Sequence, residues 1–266
     1  MHDWRWYGEI AERYERVWSG RFEVVARHLW ARVPVNAGDR LLDIGTGTGV
    51  VLRISAKVAA SAGLRVGCDR SSEMLERARS RMAGLHLLVA DATALPFESQ
   101  SFDVVTASFV LSHIRNYPIA LAEMLRVLKP DGTVAVSNWA SPSDPYSAAW
   151  NECLAGAISK AQVERALAAV TPWEEHFSER GALKKALTDA GFFQTDSISV
   201  DVESDFTVEQ FLEDRELSSS GRFGTYLLGP EGWARFRVAA IQILRDRFGS
   251  SFRCCREAFI ATARRL

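Results

Sequence analysis

The feature that most constrains the fold is an apolar segment that runs directly into three glycines at alternate positions, Leu41-Leu42-Asp43-Ile44-Gly45-Thr46-Gly47-Thr48-Gly49. Such a run predicts a buried β-strand, a tight turn and the start of a helix. Glycine has no Cβ, so its backbone can turn sharply and allow a ligand to lie against main-chain atoms. The segment therefore predicts an α/β fold that binds a small cofactor at the end of its first strand.

Short apolar runs alternate with longer amphipathic stretches along much of the chain, which is typical of a parallel sheet covered by helices on both faces. We predict strands at residues 41–44, 64–69, 85–91, 102–108, 133–139, 196–202 and 257–262. Helices are predicted at residues 49–60, 72–82, 119–128 and 179–190. The expected fold class is therefore α/β, with a doubly wound, seven-stranded and mostly parallel sheet.

Three further stretches, residues 1–36, 140–176 and 207–249, exceed what the sheet requires. Their apolar residues recur at helical spacing, and connections of this length usually carry structure of their own. We therefore predict a single domain over residues 1–266, in which a helical cap covers a cofactor-binding core at residues 37–139. The first stretch also carries the aromatic residues Trp4, Trp6, Tyr7, Tyr14 and Trp18.

The charge balance argues against a nucleic-acid or membrane partner. Lysine and arginine number 32 against 33 aspartates and glutamates, so no global field attracts anionic polymers or lipids. Arginines are concentrated after residue 230, where we expect them on a solvated helix face. No stretch approaches about 18 consecutive apolar residues, so we expect a cytoplasmic protein without membrane insertion. The four cysteines lack metal-ligand spacing and are expected to be reduced thiols, with no metal bound.

Further motifs follow the predicted strands in order. Asp69 ends the second strand, and Asp91-Ala92-Thr93-Ala94-Leu95-Pro96-Phe97 follows the third. Two more motifs are residues 102–114 and Leu125-Arg126-Val127-Leu128-Lys129-Pro130-Asp131-Gly132. Together with the glycine turn, these motifs resemble those of class I S-adenosylmethionine-dependent methyltransferases. The resemblance is to the type 11, ubiquinone/menaquinone-biosynthesis-like small-molecule enzymes. It covers residues 40–139, and departs from the family at Asp131, where a glycine is usual, and at Arg70, where an apolar residue is common.

The resemblance implies S-adenosylmethionine as cofactor and a small organic molecule as methyl acceptor. It implies that the amino-acid tail of the cofactor lies on the backbone of residues 45–49 and that Asp43 accepts a hydrogen bond from its ammonium group. It also implies that Asp69 accepts hydrogen bonds from the ribose hydroxyls and that Asp91 accepts one from the adenine amino group. Arg70 can stack on the adenine by its flat face. The full set of expected cofactor contacts is Tyr14, Asp43, Gly45, Thr46, Gly47, Gly49, Asp69, Arg70, Met74, Asp91, Ala92, Ser108 and Phe109.

Methyl transfer from a sulfonium is an in-line displacement that depends mainly on alignment and water exclusion. His113, at the end of the fourth strand, is the candidate general base, and its alternative role is structural. Tyr7, Trp18, Asn138 and Trp139 are candidates for the acceptor pocket, although the aromatic residues would serve equally as core. No [DN]-P-P-[YF] motif or Pro-Cys nucleophile of a nucleic-acid enzyme is present. O-, N- and C-methylation remain open.

Two other classes of protein remain open. An NAD(P)-dependent oxidoreductase would carry a third glycine three residues after Gly47, where Val50 stands instead. A catalytically silent scaffold that binds the cofactor would be expected to have lost some cofactor residues, and here the glycines and the three aspartates are intact. The sequence does not distinguish a monomer from a homodimer.

Overall fold

A mixed β-sheet forms the centre of the structure, a computed structural model that describes residues 7, 10–82 and 84–266. Its strands are β1 Arg40–Ile44, β2 Leu64–Asp69, β3 His86–Val89, β4 Phe102–Ser108, β5 Leu128–Trp139, β6 Phe193–Thr207 and β7 Ser251–Arg264. Across the sheet they follow the order β3-β2-β1-β4-β5-β7-β6. β1 to β5 run parallel, and β7 is antiparallel to both of its neighbours. The predicted α/β class and mostly parallel sheet are confirmed.

Helices cover both faces of this sheet. In chain order they are α1 Ala11–Trp30, α2 Val50–Val58, α3 Ser72–Arg81, α4 Tyr117–Val127, α5 Pro145–Ala157, α6 Lys160–Val170, α7 Glu174–Phe177, α8 Ala182–Asp189, α9 Val208–Leu217 and α10 Ser219–Phe248. One core joins α4 and α8 to the sheet through buried residues such as Leu121 and Leu183. A second core joins α1 and α2 to the opposite face through Leu29 and Ile54. The helices that follow β1 and β4 therefore pack on opposite faces.

The two stretches predicted to be helical insertions are helical, as α5 to α7 and as α9 with α10. α5, α9 and α10 share a separate apolar core around Trp150, Phe211 and Trp233. α10 is broken at Gly229, where φ is 66°, directly before Pro230. Trp4 and Trp6, which the sequence analysis assigned to the N-terminal cap, lie outside the described residues.

β6 and β7 are much longer than predicted, because they pair with each other from Phe193 and Arg264 to Thr207 and Ser251. β5 ends at Trp139, which pairs with Ala258. Residues 251–257 of β7 consequently pair with β6 alone, as a two-stranded ribbon that extends beyond β5. Since β6 leads into α9 and α10 leads into β7, this ribbon carries both helices at its tip.

The turn predicted at Asp131 and Gly132 is a bulge within β5, and the strand begins at Leu128 rather than residue 133. The pairing of β4 with β5 shifts register between Phe102 and Val104 to accommodate it. Asp131 has φ of 60°, a conformation that aspartate tolerates better than most residues, so the departure from glycine is accommodated. The four cysteines are free thiols. No helix within the described ranges is long and apolar enough to cross a membrane.

Candidate functional site

The glycine turn lies at the carboxyl ends of β1 and β4, where the strand order reverses and parallel sheets commonly bind ligands. Gly45, Gly47 and Gly49 have φ of 65°, 53° and 82°, which favour glycine. A Cβ at Gly45 would lie 2.3 Å from Val110 Cγ2, whereas a Cβ at Gly47 would meet no described atom within 4 Å. Gly45 is therefore needed for packing, and the space beside Gly47 is open.

Asp69 holds the glycine turn in place. Its Oδ2 accepts the backbone N–H of Gly47 at 2.9 Å, and its Oδ1 accepts the N–H of Ser71 at 2.9 Å. Burial raises the pKa of Asp69, while these two hydrogen bonds oppose the rise. A carboxylate can accept about four hydrogen bonds, so two acceptor positions remain for a ligand diol. This bracing role depends on a contact between β2 and the glycine turn and was not expected from the sequence.

Asp43 is buried between β1 and β4, and only one of its two carboxylate oxygens has a hydrogen-bond partner among the described residues. Its Oδ1 accepts the Thr106 hydroxyl at 2.6 Å. Asp43 Oδ2 and the neighbouring Thr46 Oγ1 are buried without a hydrogen-bond partner among the described residues. Burial raises the pKa of Asp43 to about 7, and the hydroxyls of Thr106 and Thr46, which lie beside the carboxylate, oppose the rise. Buried polar atoms normally have partners, so the free oxygen of Asp43 fits a cationic or hydrogen-bond-donating ligand group at this position.

The segment that follows β3 is braced by α4. Asp91 is exposed, and its Oδ1 accepts the N–H and hydroxyl of Thr93 at 2.8 and 2.7 Å, which holds the pKa of Asp91 below its usual value. Arg126 donates to the carbonyls of Phe97 and Leu95 at 2.7 and 3.0 Å. Two sequence motifs about thirty residues apart are thus one structural unit, in which Arg126 fixes the loop that carries Asp91 and the half-buried Ala92.

The end of β4 has an unusual backbone. Ser108 Oγ lies 2.7 Å from Ser137 Oγ, and the Phe109 N–H donates to the Ser137 carbonyl at 2.9 Å. Phe109 has φ of 59°, which is rare for a bulky residue and is found most often at functional sites. Its ring stacks on Trp139 with centroids 4.6 Å apart. The strained conformation therefore directs an aromatic face towards the end of β5.

Aromatic residues of α1 continue this surface. Phe22 contacts the Phe109 ring at 5.0 Å and the Tyr14 ring at 5.6 Å, and Tyr14 contacts Trp18 at 4.8 Å. Burial, followed by the charges of Tyr7 and Asp69, raises the pKa of the Tyr14 phenol, so Tyr14 is neutral and near Asp69. Phe22 was missed because an aromatic residue at helical spacing is indistinguishable from ordinary core by sequence.

α1 is fixed across this end of the sheet by a buried carboxylate. Glu15, adjacent to Tyr14, is 4% exposed and pairs with Arg77 at 2.7 Å, Arg81 at 3.2 Å and Arg53 at 3.8 Å. These arginines lie on α2 and α3, so the pairs join α1 to both helices. They position the aromatic side of α1 opposite the glycine turn.

His113 lies in a one-turn 3₁₀ helix, Leu111–His113, directly after β4. Its ring is 6.0 Å from that of Tyr7, which in turn is 5.7 Å from Tyr14. Burial lowers the pKa of His113, the charge of Arg222 acts in the same direction, and that of Glu174 opposes it. The imidazole is therefore neutral near pH 7 and can accept a proton.

The remaining predicted site residues are less directly aimed at the crevice. Asn138 is 2% exposed and its Nδ2 donates to the Trp139 carbonyl at 3.1 Å. Met74 is buried in α3, where its N–H donates to Ser71 Oγ at 3.2 Å. Arg70 is exposed after β2, and its charge opposes the rise in the pKa of Asp69 and contributes to the lowered pKa of Asp91.

Two arginines with guanidinium groups packed against aromatic rings, the half-buried Arg256 and the buried Arg222, were not expected from the sequence. Arg256 of β7 was expected among solvated arginines, but its Cζ lies 4.6 Å from the Trp139 ring centroid and its Nε is buried. Arg222, 6% exposed, has its Cζ 3.9 Å from the Tyr7 ring centroid. The expectation was wrong for Arg256 because this part of the chain is a strand. Its alternation with Cys254 and Ala258 is the signal that places it on the inward face.

Comparison with known proteins identifies the core. Residues 42–136 match a family model described as a methyltransferase domain. The match is confined to this segment, which contains the glycine turn and the strands on either side of it. A demethylmenaquinone methyltransferase of Clavibacter sepedonicus is 39% identical over 148 residues, which cover 52% of this chain and 58% of that protein. The predicted family resemblance is confirmed for the core, and the chain spans less than two thirds of that relative.

Solved structures share the fold of the methyltransferase domain and the helices around it. The YcgJ protein of Bacillus subtilis has a TM-score of 0.56 at 19% identity, over 92% of this chain and 98% of that chain. A phosphoethanolamine N-methyltransferase of Haemonchus contortus, in complex with phosphomonomethylethanolamine and S-adenosylhomocysteine, has a TM-score of 0.57 at 20% identity, over 100% of this chain and 61% of that chain. At such identities the likeness concerns the fold alone.

Proposed function

We propose that this protein transfers a methyl group from S-adenosylmethionine to a small organic acceptor. The observation that carries the proposal is the open glycine turn between Asp43, with its unpartnered buried oxygen, and Asp69, with its remaining acceptor positions. The match of residues 42–136 to a methyltransferase domain supports it, as does the cofactor product bound by the H. contortus fold neighbour.

The residues present fit this cofactor. Asp43 and the turn beside Gly47 would hold the cationic amino-acid tail, because a buried carboxylate oxygen without a partner favours an ammonium donor. Asp69 would accept the ribose diol with its two oxygens. Asp91 and Ala92 would lie at the adenine, on the loop fixed by Arg126. Tyr14, beside Asp69, would cover the ribose. Thr46, Gly49, Arg70, Met74, Ser108 and Phe109 complete the proposed cofactor set.

When bound, the sulfonium supplies an activated methyl group with its own leaving group. The protein then has to align the acceptor and exclude water. The aromatic surface of Tyr7, Trp18, Phe22, Phe109 and Trp139 supplies planar, apolar walls for the acceptor. His113, neutral near pH 7, would take a proton from a hydroxyl or carbon acceptor and would have no such task with an amine. Asn138 supports the Trp139 backbone.

The first test is thermal unfolding with saturating S-adenosylhomocysteine, in parallel with NADH and NADPH. A ligand at about 100 times its dissociation constant should raise the unfolding midpoint by about 5–10 °C for a chain of this size. A rise with S-adenosylhomocysteine alone supports the proposal. A rise only with a nicotinamide cofactor would replace it with the oxidoreductase, and no rise with any of them would contradict cofactor binding.

A matched pair of variants locates the binding site. Gly47→Ala and Gly38→Ala place the same methyl group at positive φ, 53° and 84°, and neither Cβ would meet a described atom within 4 Å. Both should lose about 1–2 kcal/mol of stability through backbone strain. Gly47→Ala should also lose the response to S-adenosylhomocysteine, whereas Gly38→Ala should keep it. An equal response in both variants would move the cofactor away from the glycine turn.

A further inference from the structure

Arg256 lies where the ribbon of β6 and β7 leaves the sheet. Ala258 pairs with Trp139, the last residue of β5, and Arg256 lies two residues before Ala258 in β7, opposite Val202 of β6. Residues two apart on a strand point to the same face. Arg256 therefore extends over Trp139 at the carboxyl end of the parallel strands, the same edge of the sheet that carries the glycine turn.

The guanidinium of Arg256 has no acidic partner among the described residues, and its buried Nε makes no hydrogen bond. Burial lowers the pKa of Arg256, and the charges of Glu174 and Asp144 oppose this from a distance, but neither residue forms a salt bridge with it. Arg253, on the same strand, is paired with Asp205 at 2.8 Å. Burying a cation without a counter-charge costs free energy, so a partner that supplies one would be bound favourably.

Neighbouring arginines add to the positive charge. Arg21 and Arg215 both pair with Asp214, which is 0% exposed, so this carboxylate is already shared. Burial, followed by the charges of Arg215 and Arg256, lowers the pKa of Arg21 to about 9. Burial, followed by the charge of Arg215, lowers the pKa of Arg256 to about 10. The three guanidinium groups thus lie close enough to repel one another, and an anion would relieve that repulsion.

A planar surface connects Arg256 with the proposed site of methyl transfer. Trp139 stacks on Phe109, whose ring lies 5.0 Å from Phe22. The rings of Trp139, Phe109, Phe22 and Tyr14 therefore form a continuous row that leads from Arg256 towards Asp69, so a ligand lying along the edges of this row can contact Arg256 at one end and the cofactor crevice at the other. A guanidinium binds the two oxygens of an acidic group through paired hydrogen bonds.

We propose that the methyl acceptor is an anionic small molecule, whose carboxylate or phosphate oxygens bind Arg256 while its body lies along the row of aromatic rings that begins at Trp139. This inference rests on the proposed function, because it assigns the substrate class of the same site. Arg256 acts in it as a specificity-determining residue. Arg21 and Arg215 contribute positive charge without direct contact.

The experiment measures binding of simple anions to the protein saturated with S-adenosylhomocysteine. Benzoate, benzamide and inorganic phosphate are titrated by calorimetry into the unsubstituted protein, Arg256→Gln and Arg253→Gln. Benzamide has the shape of benzoate without its charge, and Arg253 provides an arginine on the same strand with an exposed salt bridge. We expect benzoate or phosphate to bind, and Arg256→Gln to weaken that binding by about tenfold or more. Arg253→Gln should bind as the unsubstituted protein does, and benzamide should bind weakly to all three.

The outcomes separate this inference from the proposed function. Equal anion binding by the three proteins, equal binding of benzamide and benzoate, or no anion binding would overturn the acceptor assignment. S-adenosylhomocysteine binding is measured first and independently, and its absence would contradict the proposed function instead. If Arg256→Gln lowers the unfolding midpoint but leaves the anion affinity unchanged, Arg256 has a structural role only, and the inference is refuted. Benzoate binding without phosphate binding would assign a carboxylate, and the reverse a phosphate.

Discussion

Cofactor binding should release a proton from Asp43. Burial raises the pKa of Asp43 to about 7 in the free protein, while a bound ammonium at its free oxygen would bring that pKa back towards the ordinary value. At pH 6 only about one tenth of a group with this pKa is ionised, against about nine tenths at pH 8. The affinity for S-adenosylhomocysteine should therefore increase about tenfold from pH 6 to pH 8, because binding requires the ionised form.

The same shift sets the pH dependence of stability in the free protein. A carboxyl whose pKa is raised in the folded state binds more protons there than in the unfolded chain, between the unfolded value of 3.8 and about 7. Its contribution to stability is therefore fully present below pH 3.8 and is lost as the pH rises through about 7. Saturating ligand should flatten this dependence, since the ionised carboxylate then has a partner.

Two variants provide the controls for this titration. Asp43→Asn cannot titrate, so its affinity should be lower at pH 8 and should lose the tenfold dependence on pH. Asp91 is exposed and its pKa is already below the usual value, so Asp91→Asn should weaken binding equally at pH 6 and pH 8. Calorimetry in two buffers of different ionisation enthalpy would count the released proton. An affinity that is equal at pH 6 and pH 8, or a dependence that persists in Asp43→Asn, would refute the reasoning.

Three further substitutions, one of them with a matched control, test the packing of the structure and the role of His113. Gly45→Ala would place a Cβ 2.3 Å from Val110 at a residue with φ of 65°, so the free energy of unfolding measured with denaturant should fall by about 2 kcal/mol or more. The control Gly20→Ala, in open space within α1, should raise the free energy of unfolding by about 1 kcal/mol. Asp214→Asn leaves two buried arginines without their carboxylate and should cost about 3–5 kcal/mol in the same assay; a cost below about 1 kcal/mol would contradict this. His113→Ala should lower turnover and leave S-adenosylhomocysteine affinity nearly intact, and an equal loss of both would exclude a catalytic role.

Three of the parallel strands, β1, β2 and β4, could be predicted to within one residue because each is a short run of buried apolar residues, whereas β5 begins five residues earlier than predicted, at the bulge around Asp131. β2 and β4 begin and end at the predicted positions. β6 and β7 were underestimated because their outer halves pair only with each other and carry many polar residues, as at Asp205 and Arg253. A two-stranded ribbon has no continuous apolar run, so its length depends on pairing between segments about fifty residues apart.

The candidate site divides in the same way. The glycine turn and the acids after β1, β2 and β3 could be predicted because each is local to one strand end. Two features depend on contacts between distant segments: the bridge from Arg126 to the loop after β3, and the placement of Arg256 on Trp139. The sequence around Arg256 alternates between buried and exposed residues, as expected for a strand with Arg256 on its inward face. This pattern was not used, because the region was predicted to be a solvated helix face.

The spacing of residues along the ribbon determines which face of the sheet Arg256 lies on. Side chains alternate between faces along β7, so insertion or removal of one residue between Ala258 and Arg256 would turn the arginine from Trp139 to the opposite face. Insertion of two residues there would keep the face and change only how far the guanidinium extends beyond the sheet. The reach of the proposed acceptor site can therefore be lengthened in steps of about 6.6 Å without altering the parallel strands that form the glycine turn.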